Sequence, residues 1–351
     1  MMTLDFTLNG KPVIHQTRLA LTEVSWLAVG GCEAARITAT GAADALWLWA
    51  TRLLADLDIY APDTTRIWAG VLWAVTLQTP WGTFDYSLDK LCNRVAVEYS
   101  YATDGTVGDR ALTDWGEDAA SIARYGTIEQ LISGDGMTPE LADAYRDQYL
   151  ALYAWPTPLL NPGSRSERVT CEMVAFGHWA RLQHQIYSDT ATGQLDTAAI
   201  AQLIAGDFAW VSDDMTQVTA SGITTSRHRS NNYTGQQEMV NLQEAGSTAG
   251  RVIAGIDAQK RLYFKPVSDA LGYYWRKGEP HNTNLQQLDP WQVQPGAWAE
   301  QIDVIAPTLV DVIPPGRFFV ERVTLNAAGT GWDVGIEPPD AQTLEKLILG
   351  G

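Results

Sequence analysis

Positive charge is scarce in this sequence: 24 lysines and arginines face 41 aspartates and glutamates, a formal net charge of −17 over 351 residues. Specific binding to duplex DNA through a basic face is not expected, because neutralising phosphates needs clustered Lys and Arg. Cysteine is scarce as well. Cys32, Cys92 and Cys171 lie far apart and are odd in number, which leaves neither a disulfide framework nor a CxxC metal knuckle. No apolar run reaches the length of a bilayer span, and the most apolar helix candidate, residues 42–57, carries Asp44, Arg52 and Asp56. The opening Met1-Met2-Thr3-Leu4-Asp5 has no basic n-region and no apolar core, so no secretory signal is expected and synthesis in a cytoplasm is. The G-x-S-x-G, H-E-x-x-H, P-loop and G-x-G-x-x-G patterns are all missing.

What is there reads as an ordinary globular chain, 46% hydrophobic and 19% charged, long enough for about two domains. Leu4, Phe6 and Leu8 alternate into Asn9-Gly10, a strong hairpin signal, and the chain returns through Val13 and His15. Gly30-Gly31-Cys32 precedes a helix whose stripe is Leu46, Trp49/Ala50, Leu53 and Leu57. Ile67, Ala69, Val71, Trp73, Val75 and Leu77 mark the clearest strand; Phe84, Tyr86 and Leu88 return across Thr79-Pro80-Trp81-Gly82. Val95, Val97 and Tyr99 mark another. Strands around one short helix predict a small barrel or sandwich.

From Tyr101 to Asp147 ten acidic residues face three basic ones, and the pattern turns helical. Asp114 is expected to cap a helix through about Ile132. Thr138-Pro139 opens a second helix with Leu141, Ala144, Tyr145, Gln148 and Leu152 on one side, stopping before Trp155-Pro156. Pro156, Pro158 and Pro162 make a stiff exit. Strands resume at Val169–Ala175, and Trp179–Tyr187 reads as the partner strand. Asp196 caps a helix through Ile204, Ser221–Thr234 reads as a loop, and a helix spans about Gln236–Ala245. Arg251–Ile256 and Arg261–Val267 form a hairpin, Tyr273–Trp275 a strand, residues 277–300 an extended connection, and Phe318–Leu325 with Trp332–Ile336 a last hairpin. The expected fold class is α+β, mainly β. It divides into a β domain at 1–105, an acidic helical segment and proline-rich linker at 106–164, and a second β-rich region at 165–351. In that last region strands at about 165–190 and 310–336 enclose an α/β insertion at about 191–300.

Candidate chemistry is thin. Cys171, His178 and His184 are the tempting metal set, but six positions along one strand would separate the two histidines by roughly 20 Å. Ser87-Leu88-Asp89-Lys90 matches S-x-x-K, yet it closes a strand and neither companion triplet of that chemistry occurs. Asp213/Asp214 and Glu117/Asp118 are adjacent acidic pairs of the kind 41 carboxylates produce by chance. The expectation is no enzyme, with no catalytic, cofactor or metal residue assigned. Of the fourteen tryptophans, Trp47, Trp49, Trp73 and Trp179 fall at core positions; Trp68, Trp81, Trp291 and Trp298 fall on the other strand face or in loops, where interface packing or sugar stacking suits them.

One stretch is familiar. Trp68-Ala69-Gly70-Val71, followed by Tyr86-Ser87-Leu88-Asp89-Lys90-Leu91-Cys92-Asn93-Arg94-Val95-Ala96-Val97-Glu98-Tyr99, resembles a run in bacteriophage tail-tip and baseplate hub proteins. Asp118–Gly126 is similar to the helical segment that follows there, and Arg251–Val267 with Tyr273–Trp275 is similar to the second half of such hubs. The resemblance runs discontinuously from about residue 30 to 275. It implies a non-enzymatic virion protein with two tail-tube-like β domains, a homotrimer joining the tail tube to the tip or central fibre. The partners it implies are the tail tube, distal tail, tip or fibre and tape-measure proteins, with DNA passing through unread. Within that class the rival is a hexameric distal tail ring, and outside it a carbohydrate-binding receptor module. Asp85, Asp89 and Glu98 are the candidates for an acidic channel wall.

Overall fold

The computed structural model describes residues 5–13, 17–100, 102–103, 106–107, 110–164, 166–187, 194–226, 233–268, 271–275, 290–301, 317–328 and 331–337. Strands β1 (Asp5–Leu8) and β2 (Lys11–Pro12) form the expected hairpin. Asn9 and Gly10 sit at φ 49° and 71°, the left-handed pair that a two-residue hairpin turn requires. Leu4 and His15 lie outside the described residues. Strands β3 (Thr17–Leu27) and β4 (Gly30–Gly41) pair antiparallel. A short helix, α1 (Ala43–Trp47), runs into a 3-10 turn at Leu48–Arg52, and together they bury Leu46 and Trp49 as the stripe predicts. Leu57 is buried too, but on a strand, β5 (Asp56–Tyr60), that helical periodicity had absorbed.

The long strand β6 (Arg66–Thr79) turns at Pro80-Trp81 into β7 (Gly82–Ser87), and β8 (Arg94–Ser100) follows. Beyond it lie the short strands β9 (Ala102–Thr103), β10 (Thr106–Val107), β11 (Ala111–Leu112) and β12 (Gly116–Glu117). The helix expected over 114–132 is a different object. Asp118, not Asp114, accepts the Ser121 amide at 2.9 Å and caps α2 (Ala119–Tyr125). Gly126, at φ 74°, ends that helix, and the chain becomes β13 (Glu129–Asp135), parallel to β8. Helix α3 (Pro139–Tyr153) starts where expected, on the Thr138 cap. Its buried side is Ala142 against Val97 and Tyr99, however, and the predicted stripe points outward, with Leu141 and Leu152 both more than half exposed.

Strand β14 (Leu159–Asn161) pairs with β7, and β15 (Thr170–Gly177) enters the centre of the main sheet. The order β2-β1-β5-β6-β15-β4-β3 continues through β23 (Arg322–Ala328) and β24 (Gly331–Glu337), both introduced by the last predicted hairpin. This thirteen-stranded sheet is open and is not closed into a barrel. The sequence reading assigns residues 165–190 and 310–336 to a second β region; the structure places β15 between β6 and β4 and pairs β23 with β3. Alternation identifies a strand but not its neighbours, and the register here joins residues some 90 to 300 positions apart, roughly, in one ladder.

Glycines make the close approaches possible. A Cβ on Gly177 would sit 1.7 Å from the Cys32 carbonyl oxygen, and one on Gly70 would sit 2.2 Å from that of Phe176. The space over Gly70 is filled by the Trp68 indole, which explains why Trp68 is fully buried rather than on an interface face. After β15 the chain forms a 3-10 helix at His178–His184, not the expected strand, and leaves the sheet at Gly177, which lies against the Cys32 carbonyl. Two small strands, β16 (Gln194–Asp196) and β17 (Thr224–Ser226), pair with each other; the second occupies part of the expected 221–234 loop, whose residues 227–232 lie outside the described residues.

A second core is built by α4 (Thr197–Gly206), α5 (Gly235–Glu244) and the hairpin β18 (Val252–Ile256) and β19 (Leu262–Pro266). Asp196 caps α4 as predicted, and Thr234 with Gln237 forms a capping box on α5. The hairpin docks on the main sheet through β18 and β4, where Gly255 and Ile256 pair parallel with Gly30 and Gly31. Gly255 leaves room for the Tyr263 ring, whose hydroxyl donates to the Ala28 carbonyl at 2.9 Å. A three-stranded sheet completes the described chain: β20 (Leu271–Trp275), β21 (Trp298–Gln301) and β22 (Arg317–Phe319). Residues 276–289 and 302–316 of the expected C-terminal region lie outside the described residues.

Candidate functional site: sheet edges and an interlayer cleft

The residues with potential chemistry are each engaged in structure. His178 is buried and stacks on Trp210 at 5.4 Å; His184 lies 4.8 Å from the Trp73 ring; Cys171 is buried in β15. Burial drives the His178 imidazole down to about 3 and the His184 imidazole down to about 4, so both are neutral ring systems near neutral pH. Burial likewise pushes the thiols of Cys32, Cys92 and Cys171 up to about 12, and all three are free. Among the described residues no three His, Cys, Asp or Glu converge as metal ligands.

Ser87 Oγ accepts the Asp89 amide at 3.1 Å, a local turn at the end of β7. Asp214 accepts from Thr216 and meets Arg261 at 3.5 Å, while Asp118 caps α2 and accepts from Trp155 Nε1 at 3.1 Å. The three wall candidates also have partners: Asp85 accepts from Thr76 Oγ1 at 2.7 Å, Asp89 from Trp73 Nε1 at 2.6 Å, and Glu98 pairs with Arg110 at 2.8 Å.

Asn93 is the residue that organises the middle of the chain. It is fully buried; its Nδ2 donates to the Gly126 carbonyl at 2.8 Å and to Ser121 Oγ at 3.2 Å, and its Oδ1 accepts the Ile128 amide at 2.7 Å. Ser121 Oγ in turn donates to the Ala154 carbonyl at the end of α3. One amide thus ties β8, α2, β13 and α3 together. Composition gives no sign of it; only the resemblance marked the position.

One sheet corner carries three exposed large apolar side chains. Trp81, at the β6–β7 turn, is 69% exposed, and Leu159 and Leu160 on the neighbouring edge strand β14 are 68% and 50% exposed. Leu160 lies over Gly82, beside Trp81. Trp155 and the outward Leu141 and Leu152 of α3 are exposed as well. Of the tryptophans expected outside the core, Trp81 fits, whereas Trp68 and Trp291 are buried.

A polar cleft of about 520 Å³ lies where the β18–β19 hairpin meets the end of the main sheet. Trp26, Ile67, Tyr263 and Trp291 supply apolar wall; Arg66, Arg261 and Lys265 supply positive charge; Gln217, Gln259 and Gln294 supply amides. Sequence reading missed it because its walls come from five distant segments. The signal available was Tyr263 and Lys265, two residues apart on one strand face.

No family model matches the chain, and no curated protein matches it. Two solved structures are similar to it in fold. The tail protein from Neisseria meningitidis MC58 aligns with a TM-score of 0.44 at 8% identity, over 96% of this chain and 96% of that one. The 43 kDa tail protein of prophage MuSo2 from Shewanella oneidensis aligns with a TM-score of 0.45 at 8% identity, over 97% of this chain and 98% of that one.

Proposed function

We propose that this chain is a structural, non-enzymatic protein of a bacteriophage tail, assembling as a homotrimeric hub between the tail tube and the tip or central fibre. The observation that carries the reading is the open sheet with apolar side chains at its β7–β14 corner. Sheet edges in monomers are blunted by charge, proline or cover. Here Pro158 and Pro162 hold β14 to three residues, so the ladder cannot simply extend, yet Trp81, Leu159 and Leu160 stand in solvent beside it. That combination fits a side-chain contact with another subunit. Asn93, inside the stretch Tyr86–Tyr99 that carries part of the hub resemblance, bonds Ser121 and Gly126 of the 118–126 segment that carries another part, so these two pieces pack together. Three chains would carry −51, three times −17, and an acidic channel wall would let a duplex slide instead of gripping its phosphates.

Native mass spectrometry of the full chain tests this. A trimer that falls to monomer in Leu159→Asp/Leu160→Asp, with unchanged far-UV circular dichroism, supports the hub. A hexamer transfers the reading to the tail ring, and a monomer at tens of micromolar overturns both.

A further inference from the structure

The cleft between the β18–β19 hairpin and the sheet end has spare cationic donors, and that determines what it can hold. Asp257 is saturated: it accepts the Gln259 and Arg261 amides at 2.8 and 2.9 Å, Gln217 Nε2 at 2.7 Å and the Arg261 guanidinium at 2.8 Å. Arg261 is spent on Asp257 and Asp214. Two other cations keep donor capacity. Arg66 pairs with Asp58 through one nitrogen at 3.5 Å, and among the described residues its other guanidinium N–H groups have no acceptor. Lys265 Nζ has a single acceptor, Gln217 Oε1 at 3.4 Å, and no carboxylate within 4 Å among the described residues; it lies 5.6 Å over the Tyr263 ring. Asp63 and Asp257 also line the cleft, and Lys265 is the lining cation without a carboxylate partner among the described residues.

Size and lining exclude a simple inorganic anion as the best fit. About 520 Å³ is in the range of sites that enclose an organic ligand, and Ile67, Ile253, Tyr263 and Trp291 give it an apolar side that phosphate would not use. The glutamine amides of 217, 259 and 294 retain further donor and acceptor capacity, the complement of vicinal hydroxyls. We propose that this cleft binds a carboxylate-bearing saccharide, with Lys265 and Arg66 on the carboxylate and the glutamines on the hydroxyls.

The full-length protein is titrated with D-glucuronate, D-glucose, inorganic phosphate and an acidic tripeptide, followed by saturation-transfer NMR and calorimetry. Glucuronate is expected to bind at least tenfold more tightly than glucose, and Lys265→Gln to weaken it about tenfold through loss of the charge-assisted contact. Ile253→Trp, which fills the apolar side, is expected to abolish the transfer signal, with folding checked by circular dichroism. Absence of glucuronate binding, equal binding of phosphate, tighter binding of the tripeptide, or an unaltered affinity in Lys265→Gln each overturns the proposal. None of these results bears on the oligomeric state that tests the tail assignment.

Discussion

Replacing Asn93 by leucine keeps the side-chain volume close and removes every polar contact, which isolates what the amide does. The Ile128 N–H loses its acceptor at 2.7 Å in a buried position, whereas the Gly126 carbonyl, on an exposed residue, loses its donor at 2.8 Å but can turn to water. An orphaned buried group costs about 1–3 kcal/mol, and the Ile128 amide sets that scale here. That is a sizeable part of the roughly 5–15 kcal/mol that holds a folded chain. Urea unfolding followed by tryptophan emission should show a lower midpoint for Asn93→Leu. Hydrogen exchange should show lost protection at Ile128 and along β13, whose parallel pairing with β8 starts at that lock. Ser121→Ala, which removes only the 3.2 Å contact and the bond to Ala154, should lose about 1 kcal/mol and keep β13 protected. An unchanged midpoint together with unchanged β13 protection in Asn93→Leu would refute the reasoning.

Two further outcomes are expected. Gly177→Ala should abolish recovery of folded protein, since its Cβ would overlap the Cys32 carbonyl at 1.7 Å, while Gly126→Ala, with open space around it but at φ 74° and ψ 176°, should fold at a cost of about 1–3 kcal/mol of backbone strain; comparing soluble yield and melting midpoint of the two variants checks this. His178 and His184 are held neutral by burial when folded but accept protons freely when unfolded, so the unfolded chain binds more protons below pH 6.5, and stability should fall as pH drops from about 6.5 towards about 3 to 4. His178→Phe, measured by urea midpoints across that window, should show a shallower acid slope, and an identical slope would count against it.

Strand positions with one buried face were legible in the sequence because side-chain direction alternates with period two: Ile67 to Leu77, and Val95 to Tyr99. Helix starts were legible at Thr138-Pro139 and Asp196, where capping chemistry is local. Failures arose where a distant partner decides. The 178–184 segment carries strand-like composition but leaves the sheet at Gly177, which lies against the Cys32 carbonyl. Leu141 and Leu152 look like a core stripe, yet the small Ala142 is the residue that lets α3 sit close to Val97 and Tyr99. Trp68 reads as interfacial by parity and is buried because Gly70 has no side chain. The cleft could not be read at all, since Arg66, Gln217, Lys265 and Trp291 meet only through the fold.

The central place of β15 has a consequence for how the protein is made. Until Thr170–Gly177 leaves the ribosome, β4 and β6 each present a bare hydrogen-bonding edge towards a slot with nothing in it. The stretch from Thr79 to Thr170, at about 5–20 residues per second, takes on the order of ten seconds to synthesise. During that interval the nascent chain holds two apolar strands, Ile37–Ala39 and Val71–Leu77, ready to pair with whatever is nearest, including the same segment on an adjacent ribosome of the polysome. Slower initiation or a holding chaperone should therefore raise soluble yield, and fragments ending before Gly177 should aggregate.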